Sequence, residues 1–97
     1  MSLCRGLFLL GAIKYANVST EGITDLDDIV DFGIYSVASN GTEEHRPSTG
    51  STCVIHIPQT KSSGIVWVQF AYDYNGAYYI RRKWGNGNIS AWRQVFQ

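Results

Sequence analysis

Between Ile65 and Trp92 the chain alternates in a way that leaves neither side polar. Ile-Val-Trp-Val-Gln-Phe-Ala-Tyr-Asp-Tyr leads into Asn75-Gly76, and Ala-Tyr-Tyr-Ile-Arg-Arg-Lys-Trp leads away from it. Two runs rich in β-branched and aromatic residues around Asn-Gly predict a β-hairpin with a two-residue type I′ turn, because both central positions of that turn need positive φ. The turn sets a register, with Tyr74 opposite Ala77, Tyr72 opposite Tyr79, Ala71 opposite Ile80, Gln69 opposite Arg82 and Trp67 opposite Trp84. Side chains alternate with period two. One face then carries Trp67, Gln69, Ala71 and Asp73 with Tyr78, Ile80, Arg82 and Trp84; the other carries Val66, Val68, Phe70 and Tyr72 with Tyr79, Arg81 and Lys83. A sheet with water on one side shows apolar-in, polar-out alternation. A ribbon that is apolar on both sides needs a second thing to pack against: another layer of the fold, a neighbouring subunit, or a ligand.

The rest of the pattern is shorter in range. Leu26, Ile29 and Val30 at i, i+3, i+4, with Thr24 or Asp25 as cap and acids in the first turn, predict a short helix over residues 24–31. Residues 33–38 alternate as a strand, with Tyr35 and Val37 on one face and Ile34, Ser36 and Ala38 on the other. Residues 39–51, punctuated by Asn40-Gly41, Pro47 and Gly50, read as a long loop, either functional or mobile. A further strand runs over 51–57 and ends at Pro58; His56 shares one face with Thr52 and Val54, and Cys53, Ile55 and Ile57 share the other. Residues 7–15 read as a strand or as the tail of an upstream element. The expected architecture is α+β, mainly β: a small antiparallel sheet of about five strands with one short N-terminal helix.

Composition narrows the chemistry. Ninety-seven residues form one domain, and eight bases balance eight acids, so no overall field draws the chain to nucleic acid or to an anionic membrane. The balance hides a segregation: seven of the eight acids lie between Glu21 and Glu44, and six of the eight bases from Arg46 onward. Cys4 and Cys53 make no disulfide framework and have no metal-ligand spacing with each other, His45 or His56, so reduced thiols, no metal and no cofactor are expected. The aspartates of residues 25–31 do not match a calcium loop and read as a capping cluster. The apolar run Leu7-Phe8-Leu9-Leu10 is too short to cross a bilayer. Glycoside cleavage needs two opposed carboxylates, yet Asp73 is the only acid after Glu44. No nucleophile elbow or phosphate-cradling glycine loop occurs.

One constellation suggests binding. Flat amphipathic aromatics offer an apolar body to the C–H face of a sugar, and neighbouring Arg and Asn satisfy its hydroxyls. Trp84, followed by Gly85-Asn86-Gly87-Asn88, combines both kinds. The candidate glycan site is Tyr79, Arg81, Trp84, Asn86 and Asn88. Trp67, Trp84 and Trp92 serve equally well as core, and Arg81, Arg82 and Lys83 either bind phosphate-decorated polysaccharide or pair with the aspartates of residues 25–31.

The order Asp25-Leu26-Asp27, Gly33-Ile34-Tyr35, a loop with Asn40 and Pro47, Val54-Ile55, Gln69, Tyr79-Ile80-Arg81-Arg82 and Ser90-Ala91-Trp92 resembles the knob domain of bacteriophage tail fibres and of pyocin fibres. The likeness covers residues 23–95. It implies a knob-like domain over 23–97, with 1–22 a leader and linker or the end of an upstream fibre shaft. It further implies a non-enzymatic virion component that forms a homotrimer in the full fibre and recognises bacterial surface glycan or lipopolysaccharide. Such a fibre folds in the host cytoplasm and ends in a virion tail or phage-like particle. A nucleic-acid-binding module built on the basic, aromatic hairpin is the alternative, and a glycan depolymerase a more distant one.

Overall fold

The computed structural model of the chain describes residues 13–61 and 64–96. Six strands form one sheet in sequence order: β1 (Lys14–Asn17), β2 (Gly33–Val37), β3 (Thr52–Lys61), β4 (Gly64–Asp73), β5 (Tyr78–Lys83) and β6 (Arg93–Val95). β1 pairs parallel to β2, and every later neighbour is antiparallel. The sheet is therefore mixed, and the expectation of a five-stranded antiparallel sheet is corrected on both counts. The run 7–15 falls mostly outside the described residues, but Lys14 and Tyr15 belong to β1.

The expected N-terminal helix does not form. Residues 26–28 make a single 3-10 turn, and Ile29 is already extended at φ −67°, ψ 129°. Two causes are visible. Asp25 does cap the turn, its Oδ1 accepting from the Asp27 amide at 2.9 Å, but the aspartates that follow at 27, 28 and 31 are poor residues for a helix interior. The Thr24 carbonyl, which the Asp28 amide would need as its α-helical acceptor, is also taken by another segment, accepting from the Glu44 amide at 2.9 Å while the Asp28 amide donates to the Asp25 carbonyl instead. Leu26 and Ile29 still bury as their spacing predicts, while Val30 points to solvent.

The hairpin lies where Asn-Gly puts it, but its loop is one residue longer. Asp73 and Gly76 close a type I turn, with the Gly76 amide donating to the Asp73 carbonyl at 2.9 Å, and Gly76 adopts φ +93°. This is the three-residue loop in which a type I turn is followed by a left-handed residue. Asp73 selects it: its Oδ1 accepts from the amides of Asn75 and Ala77 at 3.0 and 3.1 Å, the arrangement that favours aspartate at the first position of a type I turn. The register accordingly slips by one. Gln69 faces Arg81, Ala71 faces Tyr79, and Trp67 faces Lys83. Such a slip exchanges the two faces of the partner strand, so Arg81 rather than Arg82 enters the core, and Trp67 and Trp84 do not share a face. Asp73→Ala is expected to lower stability by about 1–2 kcal/mol. Urea unfolding measures it, and an unchanged midpoint would show that the turn does not depend on this carboxylate.

β3 runs three residues past Pro58 because β2 reaches only to His56, opposite Gly33. From Ile57 onward β3 is an edge strand, where proline's missing N–H is tolerated. Gly33 itself is fixed by the parallel pairing, since a Cβ there would lie 2.6 Å from the Lys14 carbonyl oxygen. The long loop is tied by Arg46, which pairs with Glu43 at 2.7 Å and donates to the carbonyls of Ala38, Ser48 and Gly50.

One face of the sheet is covered. Tyr35, Val37, Val54 and Ala71 pack against Val18, Leu26 and Ile29 from the segment between β1 and β2, with Trp92 and Tyr79 at the margin. The other face is open: Phe70, Tyr72 and Tyr78 are 42%, 49% and 47% exposed, and Tyr15 and Ile57 stand with them.

Candidate binding groove

The five residues of the sequence-derived glycan site divide between the two faces. Arg81 is buried: its guanidinium lies 5.1 Å from the Trp67 ring and 4.8 Å from the Trp92 ring, and it meets Asp27 at 2.6 Å. Burial pushes this guanidinium below its usual pKa, and the Asp27 charge opposes that shift. Tyr79 is half-buried on the same side, edge-on to Trp92. Trp84, Asn86 and Asn88 lie together at the β5 end instead. Asn86 Oδ1 accepts from the Asn88 amide at 3.0 Å, and the Asn88 carbonyl accepts from the Trp84 amide at 2.8 Å. Of the two roles open to the basic run, Arg81 thus pairs with an aspartate of residues 25–31.

Behind Arg81 a polar chain crosses the core. Arg81 Nε donates to Gln69 Oε1 at 2.8 Å; Gln69 Nε2 donates to the Leu26 carbonyl at 3.0 Å and lies 3.1 Å from His56 Nδ1. Burial lowers the His56 pKa to about 4, with the Val30 backbone acting the other way. In front of Arg81, His45 Nδ1 lies 2.7 Å from Asp25 Oδ1 and 3.4 Å from Asp27 Oδ2. That hydrogen bond with Asp25 raises the His45 pKa. Burial works to raise the Asp25 pKa, but the Asp27 amide and His45 outweigh it and hold the carboxyl below its ordinary value.

Asp25, Asp27 and His45 bring their ligand atoms within 4.8 Å of one another, a grouping that the sequence spacing of His45 did not suggest. It is a charge cluster: Asp27 is neutralised by Arg81, and a fixed guanidinium beside a cation position opposes a metal. The Trp92 indole donates to the His45 carbonyl at 2.6 Å and holds the cluster against the sheet.

A recess of about 560 Å³ lies on the open face, at the end of β4 and β5 remote from the Asn-Gly turn. Ile57, Val66, Val68, Ile80 and Trp84 contribute its apolar side, and Arg82, Lys83 and Arg93 its basic side; no acidic residue lines it. Arg93 stands opposite Ile80 on the neighbouring strand, and alternation puts Arg82 on the same face two positions along. The Arg82 guanidinium lies 5.1 Å from the centroid of the Trp84 ring, which remains 42% exposed. A groove of this size with an apolar floor and a few convergent polar groups suits a small ligand or one end of a longer one. Arg82 and Arg93 were not in the sequence-derived site. The signal that would have found them is Asp73 placed three residues before Gly76, which fixes the longer loop and with it the faces of β5.

Comparison with protein families, with curated proteins and with solved structures finds no match to this chain.

Proposed function

We propose that this chain is a knob domain of a phage-type or pyocin-type tail fibre, a non-enzymatic tip element that recognises a glycan of the bacterial surface. The observation that carries the reading is the half-exposed Trp84 beside Arg82 and Arg93 over an apolar groove: a flat ring for a sugar face, with planar donors at its edge. The order of motifs from Asp25 to Trp92 supports the fibre assignment. The absence of any carboxylate from the groove lining argues against cleavage of a glycoside there.

Assembly belongs to the same reading. Phe70, Tyr72 and Tyr78 form an aromatic patch at the turn end of the open face, with Tyr72 and Tyr78 rings 6.4 Å apart and Phe96 5.8 Å from Tyr78. Contiguous exposed apolar surface of this kind marks an interaction site, and in a trimeric fibre a neighbouring copy covers it. Screening the 97-residue chain on an array of bacterial surface polysaccharides, with sedimentation at rising concentration, tests both parts. Binding that is lost in Trp84→Ala, together with self-association, is expected. An array without any hit overturns the recognition role, and a strict monomer at high concentration overturns the role of the patch.

The nucleic-acid reading has one observation in its favour, the basic groove with an exposed indole. A single indole is a short platform, however, since strand binding without sequence preference stacks successive bases on successive aromatics.

A further inference from the structure

Charge in this protein is not only segregated along the chain; it is consumed unevenly in the fold. Lys14 pairs with Glu21, Arg46 with Glu43, Arg81 with Asp27, and His45 with Asp25. Asp73, the one acid of the C-terminal half, is turned to the covered face and spends its oxygens on the hairpin turn and the Tyr79 hydroxyl. Arg82, Lys83 and Arg93 are the exception: none has a carboxylate within ion-pair distance among the described residues, and Arg82 and Arg93 are exposed on the open face. A chain whose formal charge is zero thus presents a local excess of positive charge at one groove.

Resting on the glycan reading above, we propose that the groove selects an acidic sugar. Arg82 and Arg93 hold its carboxylate or phosphate, and the sugar ring lies along Trp84 and Ile80. Two guanidinium forks on neighbouring strands match the planar or trigonal face of such an anion, because each can donate two parallel N–H bonds. The Arg82 guanidinium is held near the Trp84 indole by a cation–π contact, which limits the rotamer freedom lost when an anion binds. Ser90 fixes the strand beneath, its hydroxyl oxygen accepting from the Arg82 amide at 3.0 Å. The attraction is exposed to solvent, so it weakens as salt shortens the screening length.

The test is titration of the 97-residue chain with trigalacturonate, with its neutral methyl ester, with mannose 6-phosphate and with a single-stranded DNA 12-mer, read by the indole signal of Trp84 and the guanidinium signals of Arg82 and Arg93 in NMR spectra. Trigalacturonate or mannose 6-phosphate should shift all three signals, and which of them does so separates carboxylate from phosphate. Arg82→Gln and Arg93→Gln should each weaken that binding by about tenfold with the thermal midpoint unchanged. Equal binding of the acid and its ester overturns the anion inference while leaving glycan recognition standing. Failure of every sugar here, with the polysaccharide array also blank, overturns both. Binding of the DNA more tightly than any sugar reassigns the groove to nucleic acid, and acidic-sugar binding indifferent to both arginine substitutions moves the site elsewhere; either result overturns the inference.

Discussion

Arg81→Ala is expected to remove about 3–5 kcal/mol of stability, because deleting one member of a buried ion pair leaves the other uncompensated. Here the loss reaches further than one pair. The guanidinium fills the space between Trp67 and Trp92, neutralises Asp27 and satisfies Gln69 Oε1. In a domain whose net stability is of order 5–15 kcal/mol, that loss leaves a protein close to its unfolding threshold. The neighbouring Arg82→Ala, on the open face, should change stability by less than about 0.5 kcal/mol. Urea unfolding followed by tryptophan fluorescence compares the two. If Arg82→Ala proved the more damaging, β5 would have to present its other face to the core, and the three-residue loop would be wrong.

Acidification supplies the second large effect. His56 is fully buried, lies tilted against Trp67 with ring centroids 5.4 Å apart and stays neutral until about pH 4, whereas in the unfolded chain it takes up a proton near pH 6.5. The unfolded state therefore binds more protons throughout the window between those values, and stability is lost as the pH is lowered across it, by about 3 kcal/mol when the whole window is crossed. His45 acts in the opposite sense. Its folded pKa is raised by Asp25, so its contribution is complete below about pH 6.5 and is lost as pH rises through the folded value; being half exposed, it is the weaker of the two. Unfolding midpoints at pH 7 and pH 4.5 for the wild type and His56→Gln separate these contributions. The variant should lose distinctly less stability on acidification than the wild type. Equal losses in both proteins would mean that His56 is not the buried neutral group responsible.

Arg81 and His56 also show how the polar interior escaped sequence reading. A histidine in a strand with no ligand nearby in sequence reads as packing or surface, and it is indeed packed. Its partner Gln69 lies thirteen positions away, and Gln69 in turn meets Arg81 twelve positions further on. These separations are those of strands paired across a sheet. They become contacts only when the register is known, and the register of β4 on β5, which brings Arg81 to Gln69, turned on a single carboxylate at Asp73. The three tryptophans behave similarly: Trp67 is core, Trp92 caps it and Trp84 remains half exposed, an ordering that alternation could not supply without the correct loop length.

Local chemistry by itself determined where the strands of the hairpin lie, which residues of β2, β3 and β4 share a face, and that the domain is mainly β. Alternation, β-branching and turn residues act over two to five positions and need no partner to be read. Tertiary structure decided what those elements became. Glu44 took the backbone partners of residues 24–26, and the helix was lost to a 3-10 turn. The close approach at Gly33 allowed β1 to pair in parallel. The slip at Gly76 sent Arg81 inward and left Arg82 with Arg93 over the groove, because in a sheet one residue of register exchanges inside for outside.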